Sequence, residues 1–152
     1  MSNKISIPDE VITSKIYLLR GQKVMVDSDL AEFYQVETKR LSEQVKRNVD
    51  RFPVDFMFQL TKEEWTDLKS HNATSSWGGR RSEPFVFSEH GVLMLSSVLN
   101  SDRAIAVNIQ IIRVFTKIWK MLTDTIIIRL GIEEIKKKLA NQGKNIVNVT
   151  RN

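Results

Sequence analysis

Cysteine is absent from this 152-residue chain, which removes disulfides and thiolate metal sites from consideration. There are two histidines, His71 and His90. Neither has a ligand-type residue four positions on, or a carboxylate pair at metal-binding spacing. Glu89-His90 is not a zinc-hydrolase motif, and His90 reads as a surface or capping residue near a helix start. The chain also lacks the glycine-rich phosphate cradles G-x-x-x-x-G-K and G-x-G-x-x-G, and the nucleophile elbow G-x-S-x-G. Clustered carboxylates of the kind a nuclease needs for its metal are missing too, since Glu63-Glu64 is better explained by helix capping. The expectation is a protein that is not an enzyme and holds no cofactor or metal. The N-terminus, MSNKISIPDEVI, has no uninterrupted apolar core of a signal peptide. No stretch approaches the ~18 apolar residues that span a bilayer. A cytoplasmic protein with no membrane partner and no small-molecule substrate is expected.

What the chain does have is positive charge, unevenly spread. The formal charge is +5 and the pI about 9.6, so an anionic partner is reasonable, although charge alone does not choose one. Residues 36–51 hold five Lys/Arg against three Asp/Glu, and 123–152 hold six against three. Any nucleic-acid contact would therefore be local.

Residues 27–51 carry the most information. Leu30, Ala31 and Tyr34 stand at helical spacing, and Val36 follows as an apolar plug in a turn. Leu41 and Val45, four apart, anchor one face of a second helix. Thr38, Lys39, Arg40, Ser42, Lys46 and Arg47 are left largely on its other faces. A helix that buries one stripe and shows bases and hydroxyls elsewhere suits a DNA major groove; the pattern alone also fits an ordinary helical hairpin with a solvated charged face. By helical phase, Thr38, Lys39, Ser42 and Lys46 fall toward bases. Arg40, Arg47, Asn48 and Arg51 fall toward phosphates. In the glycine-rich loop Ser75-Ser76-Trp77-Gly78-Gly79-Arg80-Arg81, either Arg80 and Arg81 reach the backbone or the minor groove, or Trp77 packs into the core and the two arginines are solvated.

The rest of the chain supplies a frame. Residues 5–26 read as a lead-in, with a turn at Gly21 and a short strand over 23–26. Asp27 is an N-cap candidate, with Asp29 in the first turn. Pro53 stops the second helix. Phe56, Phe58 and Leu60 then alternate with polar neighbours as a half-buried strand. Thr61 and Glu64 form a capping box, with Leu60 and Trp65 as its hydrophobic staple. Pro84 leads into a strand, Phe85-Val86-Phe87, that can pair with 56–60. Ser88 caps a helix ending near Asn100, and Ser101 caps a long one from Asp102 to about Leu122. That helix has one apolar row of Ile105, Ile109 and Ile112, and another of Ala104, Val107, Ile111, Val114, Phe115, Ile118 and Leu122. So wide a stripe serves either a central core or both core and subunit interface. In the tail, Ile128, Ile132, Ile135 and Leu139 are spaced 4-3-4, with Ile146 and Val149 in register, as in a coiled coil; the alternative is a fraying terminal helix. Gly131 and Gly143 weaken it by roughly 1 kcal/mol each.

The strings VMVDSDLAEFYQVETKRLSEQVKRNVDRFPVDFMFQLTKEEW, WGGRR and PFVFSEHGVLMLSSVLNSDRAIAVNIQIIRVF closely resemble the phage ORF-six N-terminal domain family, which is similar to the KilA-N and BRO N-terminal domains. The match covers residues 11–119 and includes D-x-D-L-A-x-x-Y and R-N-x-x-R-F-P-x-D-F-x-F-x-L. The resemblance implies a DNA-binding domain of a phage or prophage regulator such as an antirepressor. It supplies no catalytic residues and does not fix which residues touch DNA. Many relatives carry a second, C-terminal effector domain, and here only a short tail follows.

The expected fold is α+β: mostly helical, with a helix-turn-helix-like unit, a small antiparallel sheet and a C-terminal helical extension. Residues 1–122 form the KilA-N-like domain and 123–152 an oligomerisation tail. The expected partner is double-stranded DNA, bound by a homo-oligomer of two or more copies held through Ile105, Ile109, Ile112, Ile128, Ile132, Ile135 and Leu139. The alternative is a protein–protein module that captures a partner such as a repressor through the apolar C-terminal helices, without DNA.

Overall fold

The computed structural model describes residues 7–71 and 82–151, with side-chain exposure given through residue 142. The elements run α1 (Asp9–Ser14), β1 (Ile16–Leu19), β2 (Gln22–Val26), α2 (Asp27–Tyr34), α3 (Thr38–Arg47), β3 (Met57–Gln59), α4 (Lys62–His71), β4 (Phe85–Ser88), α5 (Glu89–Leu99) and α6 (Asp102–Arg151). A single 3-10 turn, Val49–Arg51, follows α3. The fold is α+β and mostly helical. Its four strands form one antiparallel sheet in the order β1-β2-β4-β3. The chain divides into a compact unit ending at Phe115 and a second beginning at Thr116.

Residues 16–19, read from sequence as part of a lead-in, are a strand. The hairpin that makes them one turns on Arg20-Gly21, with φ of 53° and 74°, so Leu19 faces Gln22. Two consecutive positive φ values match the twist of the flanking strands, and glycine supplies the second at no steric cost. The central strand β2 is buried on both faces. Val24, Met25 and Val26 are all inaccessible to solvent, which is why that run is continuously apolar rather than alternating. Tyr17, Val24, Val26, Phe58 and Val86 pack with Leu60, Trp65 and Leu68 around α4. Met25 pairs with Phe87 on the opposite face, where α2 and α5 lie against β2 and β4.

The caps explain where the helices start. Thr61 N donates to Glu64 Oε1 at 2.8 Å and Glu64 N donates to Thr61 Oγ1 at 3.1 Å, the reciprocal box expected from the sequence. Ser88 Oγ accepts from Gly91 N at 3.3 Å, and Ser101 Oγ accepts from Ala104 N at 3.1 Å. Asn100 closes α5 in the left-handed region at φ 43°. Asp27 behaves differently from its expected role. Val26 is the N-cap of α2, and Asp27 is the first residue of the helix. Its buried carboxylate accepts from Ser28 N at 2.7 Å and from Phe85 N at 3.3 Å, so it fastens α2 to the start of β4.

In the first unit, Ala104, Val107, Ile111, Val114 and Phe115 of α6 are buried, whereas Ile105 and Ile109 are exposed and Ile112 is half-buried. The second apolar row is therefore the core row. Buried Asn108 donates to Val92 O at 2.7 Å and accepts a short hydrogen bond from the Tyr34 hydroxyl. Burial pushes the Tyr34 phenol well above its ordinary range. The second unit is helical from Thr116 to Arg151, and Ile128, Ile132, Ile135 and Leu139 are exposed there.

Candidate nucleic-acid interface

Residues 27–47 form a helix, a three-residue turn and a second helix. The turn is possible because Gln35 adopts the left-handed conformation at φ 58° and its N–H returns to Glu32 O, closing α2. Val36 is half-buried beneath the turn. Leu41 and Val45 are 1% and 5% exposed, and α3 packs through this stripe against α2 and α5. Burying those two side chains stabilises the docked helix by about 1.5–3 kcal/mol each. The inner face of α3 does not close fully on the sheet. A cavity of about 150 Å³ lies between Leu41, Val45 and Val49 on one side and Met57, Phe85 and Phe87 on the other. So apolar a space holds no water firmly.

The outer face follows from that anchoring. Lys39, Arg40, Glu43, Lys46 and Arg47 are exposed, and Thr38 and Ser42 are half-buried at the flank. Because Leu41 and Val45 point inward, the 100° step of a helix puts Lys39, Glu43 and Arg47 on the outermost ridge. Lys39, Arg40, Glu43, Gln44 and Arg47 share one shallow, open depression with Glu37. The ion pairs Lys15–Asp29, Arg20–Glu64 and His71–Asp67 leave the bases of α3 uninvolved. Four bases against the single acid Glu43 leave Thr38–Arg47 strongly cationic. Lys46 and Arg47 fall in the last turn, where a helix favours cations.

Two expected contact residues have structural employment. The Asn48 amide donates to Gln44 O at 2.8 Å at the C-terminal end of α3. Arg51 is exposed, and its guanidinium donates to Ser97 Oγ on α5 at 3.3 Å. Arg80 and Arg81 lie outside the described residues, as do the side chains of Ile146 and Val149. Glu43 is the residue that sequence reasoning passed over. The signal was present, since position 43 lies midway between Leu41 and Val45 and hence opposite the buried stripe.

With this geometry in place, comparison with family models adds a decisive observation: the ORF6N domain matches residues 14–98. The chain belongs to the ORF6N domain family. The match spans β1 through most of α5 and so contains α2, α3 and the four strands of the described residues. Comparison with curated proteins and with solved structures gives no match. Among the described residues, no helix is long and apolar enough to cross a membrane, and no group of three or more His, Cys, Asp or Glu is placed to hold a metal ion.

Proposed function

We propose that this ORF6N-domain chain binds double-stranded DNA through α3, as a phage-type transcriptional regulator or antirepressor working in the cytoplasm without catalysis. The observation that carries this reading is the exposed face of α3, where Lys39, Arg40, Lys46 and Arg47 are held outward in excess over Glu37 and Glu43 and outside the ion pairs Lys15–Asp29, Arg20–Glu64 and His71–Asp67 of the described residues. Such a face supplies the phosphate attraction that dominates DNA affinity.

The ridge order suggests a division of labour. Lys39, Glu43 and Arg47 enter the groove first, flanked by Arg40 and Lys46 at phosphate height, with Thr38 and Ser42 reaching only the groove edge. Glu43 is repelled by phosphate but accepts a hydrogen bond from the cytosine amino group, so it contributes discrimination rather than affinity. Lys39 and Arg47 donate to guanine O6 and N7. Arg51 adds a phosphate contact once it leaves Ser97.

A second reading is supported by a different observation. The exposed isoleucines of α6 offer a surface through which an antirepressor could hold a repressor without touching DNA. A fluorescence anisotropy titration of the full chain against random-sequence duplex, repeated across a salt series, separates the two. Binding that weakens steeply with salt supports the α3 reading. Absence of binding at 50 mM salt and tens of micromolar protein would refute it.

A further inference from the structure

From the second unit we infer that residues 124–142 of α6 associate with the same segment of another copy of this chain, in parallel and in register. The helix there shows solvent a row that a soluble helix rarely leaves open: Ile128, Ile132, Ile135 and Leu139 are 61%, 47%, 59% and 62% exposed. Their 4-3-4 spacing is the seam of a coiled coil. It puts Thr125, Ile132 and Leu139 at the a positions and Ile128, Ile135 and Gln142 at d. A seam with this period matches another helix of the same period, and a second copy supplies one by construction.

The flanking charges choose the orientation. Arg129 and Lys136 occupy e positions, and Asp124, Gly131 and Lys138 occupy g positions. In a parallel pair each g residue faces the e residue of the partner's next heptad. Asp124 then meets Arg129 of the partner subunit, while the remaining pairings set Gly131 against a lysine and Lys138 against Gly143, so no like charges meet. An antiparallel pair sets e against e and g against g, which opposes Arg129 to Lys136 and so cancels the attraction it gains between Asp124 and Lys138, whereas the parallel pair keeps its attraction uncancelled. Glu133, Glu134 and Lys137 fall at b, c and f, on the outer surface, whereas one heptad earlier the same positions hold Ile126, Ile127 and Leu130, so the seam is set off by charge only from Gly131 onward. The polar Thr125 and Gln142 within the seam fix the register, because a slipped pair buries them against isoleucine.

The chain contains no cysteine, which makes the test clean. Full-length Thr125→Cys and Gln142→Cys variants, and Lys137→Cys as the outward control, are exposed to mild oxidant, and the wild-type mass is measured by light scattering. The expected result is a wild-type mass of at least two chains, with covalent dimers dominant for Thr125→Cys and for Gln142→Cys alone and scarce for Lys137→Cys. A monomeric mass would overturn the inference and leave the seam to a different protein. Cross-linking confined to a mixture of the Thr125→Cys and Gln142→Cys chains would overturn the parallel arrangement. Because none of these readouts involves DNA, they fail or succeed independently of the α3 reading.

Discussion

Replacing Lys39 and Arg47 together with alanine is the sharpest test of the α3 face. Both side chains are exposed and stand outside the ion pairs of the described residues, so their loss should leave folding stability within about 0.5 kcal/mol. Alanine also preserves helix propensity. The effect on DNA should be large. If the four α3 bases each neutralise one phosphate, the slope of log affinity against log salt is about −3.6 per protomer, and the double variant retains about −1.8. Between 50 and 200 mM salt the wild-type affinity should then fall about 150-fold and the variant's only about 12-fold. Anisotropy on a fluorescein-labelled 20-base-pair duplex measures both curves, with circular dichroism as the check on folding. Identical slopes for the two proteins would remove α3 from the interface, however tightly the chain bound DNA.

Three further outcomes are expected. Glu43→Gln should tighten binding to random duplex by several-fold, by deleting the one negative charge on the ridge, and should narrow the gap between preferred and random sequences in a competition assay. Unchanged affinity would place residue 43 outside the groove. Gly91→Ala should destabilise the domain by about 1–3 kcal/mol in urea denaturation, because a Cβ there is driven into the Phe56 carbonyl oxygen, which is backbone and cannot step aside. Glu64 is held down to about 2, first by the Arg20 guanidinium, whose Nε and Nη2 each donate at 2.9 Å, and further by the N–H and hydroxyl of Thr61. A depressed carboxylate stabilises the fold fully above its unfolded value of about 4.3, and that contribution is lost as pH falls toward 2. Discounted for its surface position it amounts to about 1 kcal/mol. Glu64→Gln should lose that amount at pH 7 and show a flatter stability profile between pH 4.3 and 2.

Much of the local structure was legible because it is written in neighbouring residues. The Thr61–Glu64 box, the Ser88 and Ser101 caps, the Asn100 stop and the Leu41/Val45 stripe each need only a few positions of sequence. What escaped depends on distant partners. Strand β1 has no turn signal of the Asn-Gly kind. Its hairpin rests on Arg20 tolerating a positive φ while its guanidinium engages Glu64 and lies 4.1 Å from the Phe58 ring centre. The pairing of β2 with β4 joins residues some sixty positions apart, and nothing local announces it. Asp27 looked like a cap because aspartate before a helix commonly is one, yet its second oxygen is claimed by Phe85 N across the fold. At the interface, helical phase placed Leu41 and Val45 correctly. The same phase sets Glu43 opposite them, between Lys39 and Arg47, a consequence that stands out once Leu41 and Val45 are seen to be buried.

The Asn108 amide touches three helices at once: its own α6, the Tyr34 hydroxyl of α2 and the Val92 carbonyl of α5. Hydrocarbon packing tolerates small slides of one rod along another, because any methyl group serves nearly as well as the next. Asn108 offers no such latitude. A shift of one residue along α6 strands a hydroxyl, an amide and a carbonyl in oil, each at about 1–3 kcal/mol. The link therefore works as a detent, setting α2, and the helix that turns off it, at a single angle within the domain.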